Sequence, residues 1–70
     1  MEKLVKTKIN LYLRNEPKRS AVGILIPAGT ILKHIDSVKG EVVGGIDDWY
    51  TNEKDQYYWA GGVEEMIDSP

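Results

Sequence analysis

Apolar and polar residues alternate over residues 7–13, so every second side chain falls on the same side of the chain. The apolar side carries Ile9, Leu11 and Leu13, and the polar side carries Lys8, Asn10 and Tyr12. A period of two predicts a half-buried β-strand. Pro17 indicates a polar loop over residues 14–20, because the residue before a proline avoids helical geometry. Residues 1–6 lack the alternation, and we expect them to form a loose lead-in.

A second apolar run covers residues 21–26. It is too short for a helix and contains β-branched residues, so it predicts a strand. Gly23 within it indicates a bulge or a close backbone approach. The inward-facing set is either Val22, Ile24 and Ile26, or Gly23 and Leu25. A tight turn is expected at residues 27–30, where Gly29 supplies a positive φ.

The next segment predicts a third strand, which starts at residues 31–35 and continues to Val38. A turn at Lys39 and Gly40 would then return the chain through residues 41–43, as a protruding hairpin or a long strand pair. Gly44 and Gly45 would end this hairpin through their backbone freedom.

The last residues fit two structures. Residues 63–66 form either one helical turn or a short closing strand. We favour the turn, followed by a final strand edge at Met66 and Ile67. Residues 68–70 are expected to be a tail.

Aromatic residues concentrate in residues 48–62, which hold five of the chain's six aromatics and both tryptophans. Two β-prone runs separated by a short polar segment predict a hairpin. Strand alternation places Trp49 and Tyr50 on opposite faces, and Tyr58 and Trp59 likewise. We expect one residue of each pair to enter the core and the other to face outward.

No stretch shows apolar spacing at 3.6 residues, and turn signals recur every eight to twelve residues. This pattern predicts an all-β fold, either a small barrel or a sandwich of short strands. Seventy residues allow at most one domain, which would span residues 1–70. The expected core is Ile9, Leu11, Leu13, Val22, Ile24, Ile31, Ile35 and Ala60.

Composition and charge indicate which class of protein this is and which partners it favours. Hydrophobic residues make up 41% of the chain and charged residues 29%, which are globular values. The first 35 residues carry seven Lys and Arg against two acids, and the last 35 carry two against nine. Interleaved strands would neutralise one another, which argues against nucleic acid as a partner. No apolar run reaches membrane-spanning length, and no secretory signal opens the chain. We expect a monomer, either cytoplasmic or cut from a longer protein.

Four segments, in order, resemble motifs of the bacterial SH3-like (SH3b) domain family. Residues 11–17 resemble its "L-x-V-R-x-x-P" opening, residues 27–30 its "x-x-G-T" turn, residues 48–50 its "G-W-Y" run, and residues 58–60 its closing "G-W-V". The sequence departs from the family at Asp48 and Tyr58, which stand at glycine positions, and in an apparent insertion over residues 37–46. The resemblance implies a small SH3-like barrel of five to six short, strongly bent antiparallel strands, which serves as a non-catalytic module of cell-envelope or secreted proteins. It also implies binding to peptidoglycan or its peptides, or docking on a neighbouring domain.

Catalytic and metal chemistry find little support in the sequence. His34 is the only histidine, and no spacing holds it between a nucleophile and an orienting acid. The acidic residues around the aromatic hairpin lack the order of a calcium loop. We therefore expect that the protein is not an enzyme and that it has no metal site and no cofactor.

The aromatics predict a shallow groove formed by Tyr12, Trp49 and one of Tyr58 or Trp59. Such a groove suits an extended peptide or a sugar ring. Glu16, Asp47 and Asp48 on flanking loops would pair with a ligand's ammonium or basic side chain. Cross-strand packing of the rings without any ligand is the alternative. Two other functions stay open: a structural accessory to a catalytic domain, and a barrel binding single-stranded nucleic acid, which the acidic hairpin disfavours.

Overall fold

The computed structural model describes residues 3–66 as an all-β fold. Its strands are β1 (Lys3–Thr7), β2 (Leu11–Arg14), β3 (Gly23–Ile26), β4 (Ile31–His34), β5 (Asp36–Val43), β6 (Ile46–Thr51), β7 (Tyr57–Trp59) and β8 (Val63–Glu65). They form a three-stranded sheet in the order β4-β1-β8 and a five-stranded sheet in the order β3-β2-β7-β6-β5. All strand pairs are antiparallel, so the predicted class is confirmed. The described residues contain eight strands instead of five to six.

The first strand, β1, lies where the sequence predicted a loose lead-in, and that prediction is wrong for residues 3–6. Val5 is fully buried between Leu32 of β4 and Glu65 of β8. The apolar–polar alternation of β1 is hidden in the sequence, because its second inward residue, Thr7, is polar. The buried Thr7 hydroxyl donates to Pro27 O and accepts from Thr30 N, both at 2.9 Å. These bonds satisfy its polar group and tie β1 to the turn before β4.

That turn has the predicted geometry. Gly29 has a φ of 89°, which confirms the expected positive φ. The Thr30 hydroxyl donates to Pro27 O at 2.7 Å, and Ala28 N donates to Asn10 Oδ1 at 3.0 Å. Backbone bonds between Thr7 and both Gly29 and Thr30 add to these side-chain bonds and join the turn to β1.

Strand β3 is the edge of the five-stranded sheet, and its apolar residues remain largely outside the core. Ile24 is 64% exposed and Leu25 is 52% exposed, whereas Ile26 packs against the core. Neither predicted inward set is therefore wholly inward. Gly23 is a site of close approach, because an added Cβ would lie 2.9 Å from both Arg14 Cγ and Leu13 O. The register between β2 and β3 contains no shift, so the alternative of a bulge at Gly23 does not apply.

Strand β5 runs without a turn through Lys39 and Gly40, so the hairpin predicted there is wrong. The chain reverses at Gly44 and Gly45, whose φ values are 58° and 83°. Gly40 instead permits close packing, since an added Cβ would lie 2.7 Å from Trp49 Cδ1 and would overlap Pro17. The register against β6 shifts between Lys39 and Val43, which bends the strand pair at this point.

The aromatic hairpin is formed by β6 and β7, as predicted. Trp49 pairs with Trp59, Tyr50 with Tyr58, and Thr51 with Tyr57. Buried Asn52 organises the connecting loop, because its Oδ1 accepts from the backbone N–H groups of Lys54 and Gln56, each at 3.0 Å. Such an amide replaces backbone partners in a tight loop.

The chain closes with a strand instead of the favoured turn. Residues Ala60–Gly62 form one 3-10 turn, and β8 follows at once. Within β8, Val63 is buried against β1, as the alternative prediction of a closing strand requires. Met66 follows the strand, and the predicted edge residue Ile67 and tail 68–70 lie outside the described residues.

The core combines both sheets. Buried Val5, Leu11, Tyr58 and Val63 form its centre, and Leu13, Ile26, Leu32, Tyr50 and Trp59 pack around it. Leu11 and Leu13 are thus confirmed as core residues, and Ala60 is half-buried. The other predicted core residues are wrong, because Ile9, Val22, Ile24, Ile31 and Ile35 are all at least 40% exposed. Large rings fill the small interior in their place. Among the described residues, no helix is both long and apolar enough to span a bilayer.

Candidate functional site

A concave groove of about 220 Å³ opens on the five-stranded sheet and the loops beside it. Strand β2 contributes Tyr12 and Arg14, and the hairpin β6–β7 contributes Trp49 and Trp59. The remaining lining residues are Ile9, Asn10, Leu11, Arg19 and Val43. Three of the predicted site residues, Tyr12, Trp49 and Trp59, are therefore brought together at one place.

Tyr12 and Trp59 provide the accessible aromatic surface of this groove. Tyr12 is 43% exposed, as its position on the polar side of β2 predicts. Trp59 is half-buried, and its Nε1 donates to Ile46 O at 3.1 Å. Its ring lies against Gly61, where any added Cβ would overlap it. The small-residue turn after β7 thus seats the indole and fixes its orientation.

Trp49 forms part of the groove but not as the outward-facing ring that the sequence analysis expected. Only 1% of its surface is exposed. Its Nε1 donates to Glu41 O at 2.9 Å, and Gly40 leaves room for the ring. The indole therefore closes the base of the groove, while Tyr12 and Trp59 offer the surface that a ligand can reach.

Tyr58 lies in the core, outside the groove to which the sequence assigned it. Its ring is fully buried, and its hydroxyl donates to Lys33 O at 2.6 Å. Burial, with smaller effects from Tyr50 and Glu53, raises the pKa of this hydroxyl well above its ordinary value. Of the two alternatives for the third ring, the structure places Trp59 in the groove and Tyr58 in the core.

The structure does not place the predicted acidic residues in the groove either. Glu16 and Asp48 do not line the groove. Glu16 pairs with Lys18 at 3.4 Å, and Asp48 accepts from Lys39 Nζ at 2.6 Å. Strand alternation explains Asp48, which lies on the face of β6 opposite to Trp49. Hydrogen bonds to Asp48 and then to Asp47 raise the pKa of the Lys39 ammonium. Both carboxylates therefore pair with Lys39 and do not face the groove.

The charged side chains that line the groove are Arg14 and Arg19, neither of which was among the predicted site residues. Arg14 could have been found, because it follows Tyr12 by two residues in the same strand and so shares its face. Its guanidinium carbon lies 4.7 Å from the centre of the Tyr12 ring. Its Nη1 donates to Ala21 O at 2.8 Å. Gly23, opposite Arg14 in the register, provides the space for this conformation.

Arg19 is held by Glu41. The Arg19 backbone N–H donates to Glu41 Oε1 at 2.7 Å, and its Nε donates to Oε2 at 3.1 Å. These hydrogen bonds, the backbone bond first, lower the pKa of the Glu41 carboxyl. Arg14 affects Glu41 only through a weaker, longer-range attraction. No ion pair among residues 3–66 joins Arg14 to a carboxylate.

His34 lies in a second polar cluster, away from the groove. Its ring stacks on Tyr50 with centroids 3.6 Å apart and an interplanar angle of 18°. Its Nε2 lies 2.9 Å from Ser37 Oγ, while its Nδ1 is buried with no hydrogen-bond partner among the described residues. Burial, and then the positive charge of Lys3, lower its pKa. His34 is therefore a half-buried residue at the end of β4.

This second cluster lacks the third member of a catalytic triad. Asp36, two residues along, makes no hydrogen bond to the His34 ring among the bonds of the described residues. A base oriented by an acid is what such chemistry requires. Within residues 3–66, no group of three His, Cys, Asp or Glu side chains is placed to hold a metal ion.

Comparisons with other proteins give no relative for this fold. No family model matches the chain, and no curated protein or solved structure gives a significant match.

Proposed function

We propose that this protein is a non-catalytic binding module, similar to bacterial SH3-like domains, that recognises cell-wall peptide or glycan through the aromatic groove. The alternative ligand for the same groove is an extended segment of a partner protein. The observation that carries the proposal is the arrangement of Tyr12 and Trp59 around the buried base formed by Trp49.

The ring faces, and not the indole N–H groups, are the recognition elements. Both tryptophan Nε1 atoms already donate to backbone carbonyls, at 2.9 Å for Trp49 and 3.1 Å for Trp59. A ligand therefore gains apolar and stacking contacts from these rings, and no hydrogen bond from the indoles. Sugar rings and extended peptides present flat apolar surfaces of this kind.

The size of the groove limits the ligand. Its volume of about 220 Å³ is below the range of about 300–1,000 Å³ that is typical for pockets enclosing drug-sized ligands. The groove thus holds one sugar ring or a few peptide units of a longer polymer. Affinity for a single repeat would be modest, and attachment to a polymer would increase it through multiple contacts.

The test is a calorimetric titration of the protein with a soluble muramidase digest of peptidoglycan. Tyr12→Ser should weaken binding by about two- to tenfold, because an aromatic contact contributes about 0.5–1.5 kcal/mol beyond its buried area. Leu4→Ser is the matched control, since Leu4 is 46% exposed, close to the 43% of Tyr12, and lies outside the groove. Equal binding by both variants, or no binding by the wild type, would contradict the cell-wall proposal.

A different observation favours a second candidate function, that of an accessory domain packed against a catalytic domain of the same chain. The edge strand β3 and the residue before it expose Val22 (78%), Ile24 (64%) and Leu25 (52%). An exposed apolar edge commonly marks a surface that another element covers. Hydrogen exchange at the β3 amides tests this function, with slower exchange in a longer parent protein than in the 70-residue chain as the expected result. Equal exchange rates in both proteins would argue against it.

A further inference from the structure

The charge of the groove depends on Arg14. Arg19 is the other cation that lines it, and Glu41 already holds Arg19 through two hydrogen bonds. The Arg14 guanidinium makes one hydrogen bond within residues 3–66, to the neutral carbonyl of Ala21. An arginine has five N–H donors, so most of its capacity is left for a ligand.

We infer that the groove selects ligands that carry a carboxylate, and that Arg14 pairs with this carboxylate while the rest of the ligand lies on Tyr12 and Trp59. This inference rests on the proposed function, because it specifies the chemistry of the ligand at the same site. It replaces the ammonium-bearing ligand that the sequence suggested, since Glu16 and Asp48 lie elsewhere.

The position of Arg14 is fixed before any ligand arrives. The Tyr12 ring supports one face of the guanidinium, with 4.7 Å between the guanidinium carbon and the ring centre. The bond from Nη1 to Ala21 O, 2.8 Å long, holds one edge. A planar guanidinium that is already oriented loses little side-chain entropy when it binds a carboxylate through paired hydrogen bonds. The groove therefore offers a directional anion site next to an aromatic surface.

A carboxylate fits this site better than a nucleic acid does. Nucleic-acid binding relies on several cations that each neutralise a backbone phosphate. Here Arg14 is the one lining cation that forms no ion pair with a carboxylate among residues 3–66. Asp47 and Asp48 of the neighbouring β6 both accept from Lys39 Nζ. A single anionic group on a mostly apolar ligand matches the charge that the groove provides.

The decisive experiment compares one digest in two chemical forms. The muramidase digest is titrated as prepared, and again after its carboxylates have been converted to amides. We expect amidation to weaken binding by about tenfold or more, since a charge-assisted pair is worth about 1.5–3 kcal/mol. Equal binding of the two forms would overturn the inference but leave the proposed function intact. Failure of both forms to bind would reject the proposed function, and the inference with it.

Variants assign the effect to a residue. Arg14→Gln should abolish the difference between the two forms, and Arg14→Lys should restore only part of it, because lysine lacks the paired donors. Lys54→Gln is the control, an exposed cation outside the groove. A full difference retained in a folded Arg14→Gln variant would contradict the role of Arg14. Oligothymidylate is the final probe, and Arg14-dependent binding of it as tight as that of the digest would favour nucleic acid and overturn the inference.

Discussion

The guanidinium carbon of Arg14 lies 4.7 Å from the centre of the Tyr12 ring, on the same face of β2. A cation over an aromatic face at an accessible site contributes about 0.5–1 kcal/mol. Its larger consequence is spatial, because the positive charge and the accessible ring reach the groove together. Any change that moves one of these side chains should therefore move the other.

Gly23→Ala tests this coupling. The new Cβ would lie 2.9 Å from Arg14 Cγ and 3.3 Å from Tyr12 Cβ, so both side chains must shift. We expect a loss of about 1–3 kcal/mol in the free energy of unfolding, as is typical of overpacking, together with shifted Tyr12 ring resonances. Val22→Ala, at a side chain that is 78% exposed, should change stability by less than about 0.5 kcal/mol. Unchanged stability and ring signals in Gly23→Ala would show that Gly23 does not pack closely against Arg14 and Tyr12.

Tyr58→Phe should lower the free energy of unfolding by about 1 kcal/mol, measured by urea denaturation. The substitution keeps the buried ring and removes the hydroxyl that donates to Lys33 O at 2.6 Å. Tyr57→Phe is the control in the same strand, because its hydroxyl makes no hydrogen bond among those of the described residues. Similar stability losses in the two variants would mean that the Tyr58 bond adds nothing.

Acidification should destabilise the fold through His34. The pKa of His34 is lowered from 6.5 by burial and by Lys3, against weaker opposing effects of Glu65 and Asp36. The folded state thus binds the proton less tightly than the unfolded state does. The corresponding stability is present above pH 6.5 and is lost as the pH falls through the lowered folded pKa.

The measurement is the urea midpoint at about pH 7.5 and pH 5.5, a range in which histidine is the side chain that ordinarily titrates. We expect a lower midpoint at the acidic pH, and a smaller difference in His34→Gln. A wild-type midpoint that stays constant or rises on acidification would refute the assignment.

Gly40→Ala should be strongly destabilising although Gly40 lies inside a strand. An added Cβ would overlap Pro17 and lie 2.7 Å from Trp49 Cδ1, and the backbone of Pro17 cannot yield easily because Glu41 N donates to its oxygen at 2.9 Å. The expected loss is about 1–3 kcal/mol in thermal or urea unfolding. Val42→Ala, at a side chain that is 60% exposed, provides the neighbouring control. Gly40→Ala with wild-type stability would indicate that β5 packs less closely on the loop.

Local signals in the sequence were enough to predict the elements that are marked by clear alternation or by turn-forming residues. The aromatic hairpin and the turn at Gly29 have either clear alternation or a residue suited to the required φ. The strand predicted over residues 7–13 is only partly correct, because β1 ends at Thr7, β2 begins at Leu11 and residues 8–10 between them form no strand. Strand β1 was missed because its inward side consists of Val5 and a threonine whose burial depends on hydrogen bonds to a distant turn. No local pattern reports such a contact.

The errors at the site have a similar origin. Gly40 resembles a turn residue in sequence, but it is required by the packing of Trp49 and Pro17. The choice between Tyr58 and Trp59 depended on which face of β7 meets β4, where Lys33 O receives the Tyr58 hydroxyl. Both outcomes follow from long-range packing, which the alternation of one strand cannot determine.

The most direct test of the groove is to follow side-chain resonances while the muramidase digest is added. We predict shifts of the Tyr12 and Trp59 ring signals and of the Val43 methyl groups, with the buried Val5 methyl groups unchanged. Shifts confined to the exposed methyl groups of Val22, Ile24 and Leu25, or no shifts at all, would contradict this prediction.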